Sequence, residues 1–504
     1  MAGTGGSLVL VGFMGAGKSS ALDDVLDTDR LLEDQLQMSI ASFFAAYGEA
    51  KFRRREESVV LRALSSGAPV IALGGGSLGS QDVRRALAEH TVVWLQVSPE
   101  TAWERAVGDE RPLAADRKTF EALHAEREPV YAAAADAFLP EGDRGLVARA
   151  LPALRALAAA PPHTKLVWAR SAGGEYPVYV GRGIAGAVLP GADAGRAFLV
   201  TDEHVGPLYA ARMRHVQRTI TIAAGEQHKT LAAAERVWRE LARAGMGHDD
   251  HVIALGGGVV GDLAGFCAAT YQRGVGVVQV PTTVVAQVDS AYGGKTGVDL
   301  PEAKNYVGAY HQPAAVITDV DTLDTLSEAE LSAGFAEVVK TALIAGGGLW
   351  DRVASGAGGR VPDAGIILDC ARTKLTVVAA DERDGGMRQL LNLGHTVGHA
   401  IETATGYTRY RHGEAVALGL LAALRLSDAG ELREQVAGLL ERAGLPTRMS
   451  AVDPAAVVAA ARLDKKRRGD EVPFVLVRAP GDVHYGQRVS ADAVLAAVTE
   501  LSDP

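Results

Sequence analysis

Short apolar runs alternate with helical stretches over the first third of the chain. The runs cover residues 7–11, 70–73 and 92–97, and the first of them leads directly into a glycine-rich loop. A short, wholly apolar run bounded in this way is typical of a buried parallel strand. The alternation predicts a doubly wound α/β domain. An alanine- and leucine-rich stretch then meets Pro161-Pro162, which predicts a last helix followed by a linker.

A second series of apolar runs follows the paired prolines. Residues 176–180 and 197–200 are predicted as strands, and the runs at 252–255 and 277–280 each lead into a loop rich in glycine or threonine. Loops of this kind at strand ends are typical of a nucleotide-binding α/β unit. Beyond about residue 326 strands nearly vanish and alanine- and leucine-rich helical periods take over. We therefore expect a mostly helical region there.

Composition narrows the class of protein. At 504 residues the chain exceeds what one hydrophobic core usually holds, so two or three domains are expected. Apolar residues make up 48% and charged residues 22%, as in folded α/β proteins, and the net charge of −10 argues against nucleic-acid or membrane partners. Cys267 and Cys370 are the only cysteines, so no disulfide framework is expected. With an N-terminus that lacks signal-peptide features, this predicts a cytoplasmic protein.

The first candidate site is a phosphate-binding loop between a predicted strand and a predicted helix. The segment Gly12-x4-Gly17-Lys18-Ser19 fits the pattern in which glycines let backbone N–H groups turn toward phosphate oxygens. In such a loop the lysine reaches the β- and γ-phosphates, and the serine hydroxyl binds Mg²⁺. The predicted ATP-binding residues of the loop are Gly12, Gly15, Ala16, Gly17, Lys18, Ser19 and Ser20.

The second candidate site lies far downstream. Asn392-Leu-Gly-His395-Thr-Val-Gly-His399 is followed by His412-Gly413-Glu414, and this concentration of imidazoles indicates a divalent-metal site. His395 and His399 lie four residues apart and would share one helix face, either as two ligands or as one ligand and a polar neighbour. A phosphoryl-transfer loop and a metal site rarely serve one reaction. The chain is therefore predicted to be a bifunctional enzyme.

Residues from about 5 to 150 resemble the shikimate kinase family. The resemblance rests on Asp27-Thr-Asp29, Phe52-Arg53-x-x-Glu56, Gly74-Gly75-Gly76, Arg111-Pro112-Leu113 and Arg127-x-Pro129-x-Tyr131. It implies that Asp27 lies near Mg²⁺, and that Asp29 orients and deprotonates the attacking hydroxyl of shikimate. It further implies that Arg111 closes over ATP as part of a lid.

The same resemblance implies a carboxylate clamp. Arg53 and Arg127 would pair bidentately with the shikimate carboxylate, with Gly75 beside the acceptor. One departure from the family pattern concerns spacing. Only eight residues separate Lys18 from Asp27, where the family has a longer helix and a strand. We expect either a compressed geometry or a weakened kinase.

From about residue 165 onward the chain resembles the 3-dehydroquinate synthase family. The motifs are Gly225-Glu226-Gln-His-Lys229, Gly256-Gly257-Gly258-Val-Val-Gly261-Asp262, Asp289-Ser-Ala-Tyr-Gly-Gly-Lys295, Ala336-Glu337-Val-Val-Lys340 and a late Lys465-Lys466. The resemblance implies an NAD⁺ site. Its implied residues are Asp202, Glu226, Lys229, Gly257, Gly258, Asp262, Thr282, Thr283, Asp289, Lys295, Lys304, Asn305, Thr325 and Leu326.

The resemblance also implies a metal and a substrate site. Glu337, His395 and His412 would bind the metal, and three N/O ligands with open positions suit catalytic Zn²⁺ or Co²⁺. For His399 the resemblance favours a contact with the reacting substrate. Arg273 resembles an arginine donated across a dimer interface to the substrate phosphate, which implies a homodimer. The other implied catalytic or substrate-binding residues are Lys295, Lys340, Lys374, Arg388 and Asn392.

The implied reactions are two steps of aromatic-precursor synthesis. One transfers phosphate from ATP, bound with Mg²⁺, to shikimate. The other converts 3-deoxy-D-arabino-heptulosonate 7-phosphate into 3-dehydroquinate through a transient oxidation after which NAD⁺ is regenerated. Two alternatives stay open: an active synthase carrying a degenerate kinase-like module, and a related sugar-phosphate cyclase or polyol dehydrogenase.

The expected architecture is α/β throughout. A P-loop, nucleoside-monophosphate-kinase-like parallel-sheet domain is followed by a linker, a Rossmann-like NAD-binding α/β domain and a mostly helical metal-binding domain. Their expected bounds are residues 1–155, 156–165, 166–325 and 326–504.

Overall fold

The chain folds into two compact units. The computed structural model describes residues 6–106, 116–188, 195–356, 359–462 and 472–503. The first unit comprises Met1–Ala169, Pro177–Tyr179 and Ala187–Pro190, and the second comprises Arg170–Tyr176, Val180–Gly186 and Gly191–Pro504. Among the described residues, no helix is both long and apolar enough to cross a lipid bilayer.

The first unit is built on a parallel sheet with the strand order β2-β3-β1-β4-β5. All four residues of β1 are buried, as its apolar sequence predicts for a central strand. The strands are β1 (Leu8–Val11), β2 (Leu26–Asp27), β3 (Val70–Ala72), β4 (Thr91–Leu95) and β5 (Ala137–Leu139), and β6 (Lys165–Ser171) pairs with β5. The helices are α1 (Thr28–Leu36), α2 (Ile40–Tyr47), α3 (Glu49–Leu64), α4 (Gln81–Ala86), α5 (Pro99–Ala106), α6 (Arg117–Ala134) and α7 (Leu146–Ala158).

The chain directly after the phosphate loop differs from the sequence-based expectation of a helix. Between Lys18 and Asp27 it forms one 3₁₀ turn, Lys18–Ser20, before β2 begins. The reason is length. β2 lies two strands away from β1, a distance of about 10 Å across a sheet, and the connection has few residues. A helix of eight residues would rise about 12 Å and leave nothing to return as a parallel strand. The predicted strand–loop–helix arrangement is therefore wrong at this position.

The second unit contains a series of parallel strands in the order β14-β11-β10-β8-β9. Its core packs α9 and α10 against these strands through residues such as Phe198, Val237 and Leu263. The strands of this region are β7 (Gly174–Gly181), β8 (Ala197–Asp202), β9 (Val216–Ile222), β10 (His251–Gly256), β11 (Gly276–Pro281) and β14 (Ala315–Asp319), with the antiparallel hairpin β12 (Lys295–Leu300) and β13 (Ala303–Tyr310). The helices are α8 (Val205–Tyr209), α9 (Leu231–Arg243) and α10 (Gly258–Thr270).

The remainder of the second unit is mostly helical, which confirms the prediction. One antiparallel hairpin interrupts the helices, formed by β15 (Val472–Ala479) and β16 (Asp482–Val489). The helices are α11 (Glu328–Ala345), α12 (Gly347–Ala354), α13 (Ala364–Ala380), α14 (His395–Ala404), α15 (His412–Leu426), α16 (Gly430–Arg442), α17 (Pro454–Arg462) and α18 (Ala491–Leu501).

Helices α11, α14 and α15 approach one another at backbone distance because glycines lie where they touch. A methyl group on Gly419 of α15 would lie 1.9 Å from the carbonyl oxygen of Gly394, just before α14. A methyl group on Gly413 would lie 1.8 Å from the carbonyl oxygen of Ala333 in α11. The first contact places the start of α14 against α15, and the second places the first turn of α15 against α11.

We expect Gly419→Ala to destabilise the second unit. The added methyl group has backbone on its far side and cannot be accommodated by a side-chain movement, so overpacking should lower the free energy of unfolding by about 1–3 kcal/mol. Denaturant unfolding of the full chain measures this. Gly438→Ala in α16 is the matched control, because its methyl group would meet only the end of the Arg442 side chain, at 3.3 Å. That variant should be neutral or more stable. Equal stability of Gly419→Ala and the wild type would contradict the packing described.

Candidate active sites

The phosphate loop has the backbone shape that its glycines allow. Gly12, Gly15 and Gly17 have φ values of 147°, 81° and 82°, which favour glycine. The Lys18 ammonium donates hydrogen bonds to the carbonyl oxygens of Gly12 (2.8 Å) and Phe13 (3.0 Å), so it lies across the loop. Ser19 is exposed to solvent. The loop can still surround a phosphate with N–H groups, but it lacks the field of a following α-helix.

The glycine triplet brings together the predicted acceptor residues of the first unit. A methyl group on Gly74 would lie 2.5 Å from Asp29 Oδ1, and one on Gly76 would lie 2.2 Å from Arg53 Nη1. Arg127 Nη1 donates to the Gly75 carbonyl oxygen at 3.2 Å. One carboxylate and two guanidinium groups thus converge on one turn, an arrangement suited to an anionic polyol.

Side chains around this turn hold the arginines in place. Arg53 pairs with Glu56 at 2.8 Å, and Glu56 also accepts a hydrogen bond from the Ser77 hydroxyl at 3.0 Å. The Tyr131 hydroxyl donates to the Gly75 carbonyl oxygen. Burial raises the pKa of Tyr131 to about 12, although Arg127 opposes this shift. Tyr131 therefore stays a neutral donor at physiological pH.

Of the two remaining predicted kinase residues, one caps a helix and the other lies outside the part of the chain that the structure describes. Asp27 Oδ1 accepts hydrogen bonds from the N–H groups of Asp29 (2.9 Å) and Arg30 (3.3 Å), so it caps α1 and its carboxylate is fixed in direction. Arg111, the predicted lid residue, lies outside the described residues.

In the second unit, a glycine-rich turn joins β10 to α10. Gly257 is the residue before the helix, and a methyl group there would lie 2.9 Å from the methyl carbon of Thr283. A methyl group on Gly258 would lie 3.2 Å from Ser290 Oγ. The Thr282 hydroxyl is buried and has no hydrogen-bond partner among the described residues. A bare helix N-terminus beside an unpartnered hydroxyl suits a pyrophosphate.

Four side chains meet around the Lys229 ammonium, and three of them belong to predicted cofactor-binding residues. Its Nζ lies 2.7 Å from Glu226, 3.2 Å from Asp262, 2.8 Å from Asn305 Oδ1 and 3.7 Å from Asp299. Burial raises the pKa of Asp262 to about 6, although Lys229 opposes the shift. Burial lowers the pKa of Lys229, but the carboxylates raise it more, so the ammonium stays charged. This cluster can bind ribose hydroxyls.

Other predicted cofactor residues are engaged locally. Asp202 accepts hydrogen bonds from the N–H groups of His204 and Val205, at 2.9 and 2.7 Å, and so caps α8. The Thr325 hydroxyl lies 2.7 Å from the Tyr209 hydroxyl, and Leu326 follows the 3₁₀ segment Val320–Thr325. No described contact brings these residues to the Lys229 cluster.

Glu337, His395 and His412 form one compact group. The Glu337 Oε1 atom lies 3.5 Å from His395 Nε2 and 3.4 Å from His412 Nε2, and the three ligand atoms lie within 4.8 Å of one another. Glu337 is 1% exposed, and the Lys340 ammonium lies 2.5 Å from its Oε2 atom, whereas its Oε1 atom accepts no hydrogen bond in the described part of the chain. A buried carboxylate oxygen that accepts no hydrogen bond is costly unless a cation lies beside it. The residues therefore fit a divalent metal.

The electrostatics of this group favour positive charge. Burial lowers the pKa of His412, but the adjacent Glu337 and Glu402 carboxylates raise it to about 10 overall. Burial raises the pKa of Glu337, yet Lys340 and the two histidines hold it well below its usual range. By contrast, burial and the Lys340 charge lower the pKa of His395 to about 3, which leaves that imidazole neutral and able to bind a metal.

Two buried lysines flank the metal group. Lys340 Nζ lies 2.5 Å from Glu337 Oε2 and 3.6 Å from Asp289 Oδ1, and Lys374 Nζ lies 2.9 Å from Asp289 Oδ1. Burial lowers the pKa of Lys374 to about 8; Asp289 opposes the shift and Lys340 adds to it. The pKa of Asp289 falls to about 2, because the two lysines outweigh burial. The pair can bind an anionic, hydroxyl-bearing substrate.

The other predicted substrate residues are distributed around this centre. Arg388 is 2% exposed and donates to the carbonyl oxygens of Gly293 (3.0 Å) and Glu382. Lys295 is exposed and pairs with Asp384 at 3.0 Å. Asn392 ends the 3₁₀ segment that leads into α14. The positions of Lys465 and Lys466 lie outside the described residues.

His399 and Glu402 form a second possible ligand group with His412. Their ligand atoms also lie within 4.8 Å of one another, and the rings of His395 and His399 are 5.2 Å apart. Each histidine of the pair thus belongs to one possible ligand group with His412, and no such group among the described residues contains both. Sequence reasoning missed Glu402. The available signal was its spacing, three residues after His399 on the same helix face.

These two units define two classes of enzyme. A P-loop beside a turn lined by two arginines and a carboxylate is typical of a small-molecule phosphotransferase. A glycine-rich strand–helix turn and a buried carboxylate–histidine group, within one unit, are typical of an enzyme that uses a dinucleotide and a metal.

Comparison with known proteins gives the families. The model of the 3-dehydroquinate synthase N-terminal domain matches residues 219–333, and that of the C-terminal domain matches residues 334–467. The shikimate kinase model matches residues 14–152. The chain is 46% identical over 349 residues to the 3-dehydroquinate synthase of Halorhodospira halophila, covering 66% of this chain and 98% of that one. It therefore belongs to the 3-dehydroquinate synthase family and carries a shikimate kinase domain before the synthase.

Other similar proteins support the synthase family assignment or share the fold. The 3-dehydroquinate synthase of Symbiobacterium thermophilum is 46% identical over 345 residues, which is 63% of this chain and 96% of that protein. A 2-epi-5-epi-valiolone synthase from Streptomyces hygroscopicus, solved with NAD⁺ and Zn²⁺ bound, aligns with a TM-score of 0.60 and 26% identity over 65% of this chain and 96% of its own. A 2-deoxy-scyllo-inosose synthase shares the fold. It aligns with a TM-score of 0.60 and 23% identity over 67% of this chain and 100% of its own.

We expect the metal group to be distinguished by two histidine variants. His395→Ala should lose tight Zn²⁺ or Co²⁺ binding, and with it the stabilisation that a bound ion gives, about 2.7 kcal/mol at a hundredfold excess over Kd. His399→Ala, the matched change one helical turn away, should keep both. Thermal unfolding with and without metal, after chelator treatment, measures the difference. Equal losses in the two variants would mean that the ion needs both histidines, and a loss in His399→Ala alone would mean that it binds through His399 instead.

Proposed function

We propose that this chain catalyses both reactions: ATP-dependent phosphorylation of shikimate in the first unit and formation of 3-dehydroquinate in the second. The observation that carries the synthase assignment is the buried group of Glu337, His395 and His412 beside Lys340 and Lys374. The identity of 46% with 3-dehydroquinate synthases, against 23–26% with the solved sugar-phosphate cyclases, supports this substrate over those of the related enzymes.

Zn²⁺ or Co²⁺ and NAD⁺ are the proposed cofactors, supported by the ions and NAD⁺ bound in the solved relatives. Glu337, His395 and His412 would hold the metal, which acts as a Lewis acid on a substrate hydroxyl. Bound NAD⁺ supplies reversible hydride transfer. The proposed NAD⁺-binding residues are Asp202, Glu226, Lys229, Gly257, Gly258, Asp262, Thr282, Thr283, Asp289, Lys295, Lys304, Asn305, Thr325 and Leu326.

The chain's own side chains would then bind and orient the heptulosonate phosphate. Lys374 and Arg388, both buried, are cations suited to its carboxylate, and Asn392 suits a hydroxyl. Lys340 keeps the Glu337 and Asp289 carboxylates ionised, because its ammonium lies against both. His399 is exposed beside the metal group and is placed to contact the reacting part of the substrate.

A homodimer through the synthase part is proposed from Arg273. This residue is exposed and has φ of 69°, and its neighbour Gln272 has φ of 48°. Two consecutive non-glycine residues with positive φ values are uncommon, and this conformation costs energy. The strain suggests that the turn has a function. We propose that the guanidinium binds the substrate phosphate of a second copy.

For the kinase we propose that Lys18 and the loop amides bind ATP and that Ser19 and Asp27 bind Mg²⁺. Asp29 would take the proton of the attacking hydroxyl, Arg53 and Arg127 would bind the carboxylate, and Arg111 would close over ATP. The convergence on Gly74-Gly75-Gly76 supports the acceptor half of this arrangement.

A second candidate function has one observation in its favour. Because a single 3₁₀ turn replaces the helix after the phosphate loop, the first unit could bind nucleotide or support assembly without catalysing transfer. The loop and the acceptor residues are present, so we favour an active kinase. The proposed division is 1–155 for the kinase, 156–165 as linker, and 166–325 and 326–504 for the synthase. We further propose a cytoplasmic location, since both cysteines are free and buried.

Two variants should separate the activities. Asp29→Asn removes the proposed base and should lower shikimate 3-phosphate formation by about 100-fold or more, while 3-dehydroquinate formation stays at the wild-type rate. His395→Ala should have the reverse effect. Both products are measured on one preparation. If the wild type forms no shikimate 3-phosphate while its synthase is fully active, the kinase half of the proposal is wrong.

Lys374 should make substrate binding depend on pH. Its ammonium is charged below its pKa of about 8 and neutral above it, so its attraction for the substrate carboxylate is present at low pH and lost as pH rises. The KM for the heptulosonate phosphate should rise about tenfold between pH 7 and pH 9 in the wild type, because one pH unit above the pKa leaves about a tenth of the groups charged. Lys374→Gln should bind weakly at both pH values, without that rise. If KM rises by the same factor in Lys374→Gln, a titratable group other than Lys374 causes the pH dependence.

A further inference from the structure

Glu402 is a buried carboxylate that none of the roles above uses. It lies in α14, seven residues after His395, and is 3% exposed. Its Oε2 atom lies 3.4 Å from His412 Nδ1, and its Oε1 atom lies 3.2 Å from Lys304 Nζ. A buried carboxylate is stable only where interactions with its partners offset the loss of hydration.

The imidazole of His412 lies between two carboxylates. Its Nε2 faces Glu337 at 3.4 Å, and its Nδ1 faces Glu402 at the same distance. A neutral imidazole has one N–H donor and one lone pair, so only one of these nitrogens can bind a metal. Which nitrogen binds is decided by the hydrogen bond that the other one makes.

We propose that Glu402 is a positioning residue that accepts the Nδ1–H of His412 and directs the Nε2 lone pair toward Glu337 and His395. This inference rests on the proposed metal centre and adds a residue to it. Carboxylate partners of this kind orient ligating histidines and increase their basicity in metal sites. The distance of 3.4 Å is at the long end for a hydrogen bond and leaves room for the ring to shift toward a bound ion.

The second oxygen of Glu402 connects the metal centre with the β12–β13 hairpin. Lys304 of β13, a proposed cofactor-binding residue, pairs with that oxygen and also lies 4.5 Å from the centre of the Tyr407 ring. The carboxylate is therefore held from both sides, by an ammonium and by an imidazole. This geometry fixes its direction and gives the hairpin a direct contact to the residue that orients the metal ligand.

A role for Glu402 as a metal ligand is the competing possibility. The atoms of His399, Glu402 and His412 lie close enough to hold an ion. Two observations favour the positioning role. Both oxygens of Glu402 already have partners, whereas only Oε2 of Glu337 is paired, with Lys340, and its Oε1 atom accepts no hydrogen bond among the described residues. In addition, if the metal were bound to His412 Nδ1, the Nε2 nitrogen that faces Glu337 would not be a ligand.

The test is metal binding by the full-length enzyme with Glu402→Gln, using chelator competition for Zn²⁺ and the electronic spectrum of the Co²⁺ form. The amide keeps the size of the side chain but removes its charge. We expect one ion per chain in both proteins, an affinity lower by about 10–100-fold in the variant, and a changed Co²⁺ spectrum. Glu240→Gln is the matched control, because Glu240 also bridges two basic side chains, Arg218 and Arg243, in the same unit. It should leave both readouts unchanged.

Three results would overturn the inference. Unchanged affinity and spectrum in Glu402→Gln, with a wild type that binds one ion through His395, would remove the positioning role and leave the metal centre intact. Two ions in the wild type and one in the variant would make Glu402 a ligand. A wild type that binds neither Zn²⁺ nor Co²⁺ would remove the metal centre and this inference together. Thermal unfolding of the metal-free proteins shows whether the variant is folded.

Discussion

The buried carboxylate of Glu337 is the interaction on which the synthase half of the structure depends. Removing such a group from water costs several kcal/mol unless positive charge is placed beside it. Lys340 supplies part of that charge, and the imidazoles of His395 and His412 face the oxygen that remains. Three helices must meet at backbone distance for this to happen, and glycines such as Gly413 permit it. The metal group is thus a consequence of how tightly the helices pack.

In the first unit, by contrast, the scaffold supports only part of the proposed site. Its acceptor residues converge because they follow the carboxyl ends of neighbouring parallel strands or lie on the helices beside them. The phosphate loop has the expected glycine conformations, yet the helix that normally continues from it is missing. The proposed phosphate binding there would rely on loop amides and Lys18, without the field of a helix N-terminus. The two units therefore share a chain but differ in how completely the scaffold supports the chemistry.

Much of the fold followed from the sequence because apolar runs ending in glycine-rich loops are local signals. The β10–α10 turn and the parallel sheet are of this kind. The connection after Lys18 was recognisable as short, but only the strand order β2-β3-β1 shows why no helix fits there. For Glu402 the sequence offers only its spacing from His399: one glutamate on a helix resembles a solvated residue until Lys304, 98 positions earlier in the chain, is seen against it. Long-range burial of this type leaves no local pattern.

The central claim is that Glu337, His395 and His412 hold the catalytic metal. Anomalous diffraction from crystals of the Co²⁺-loaded enzyme, recorded on both sides of the cobalt absorption edge, tests it most directly. The account predicts a single strong peak per chain, about 2.0–2.2 Å from the Nε2 atoms of both histidines and from a Glu337 oxygen. A peak bonded to His399 and Glu402, or no peak in this unit, would contradict it.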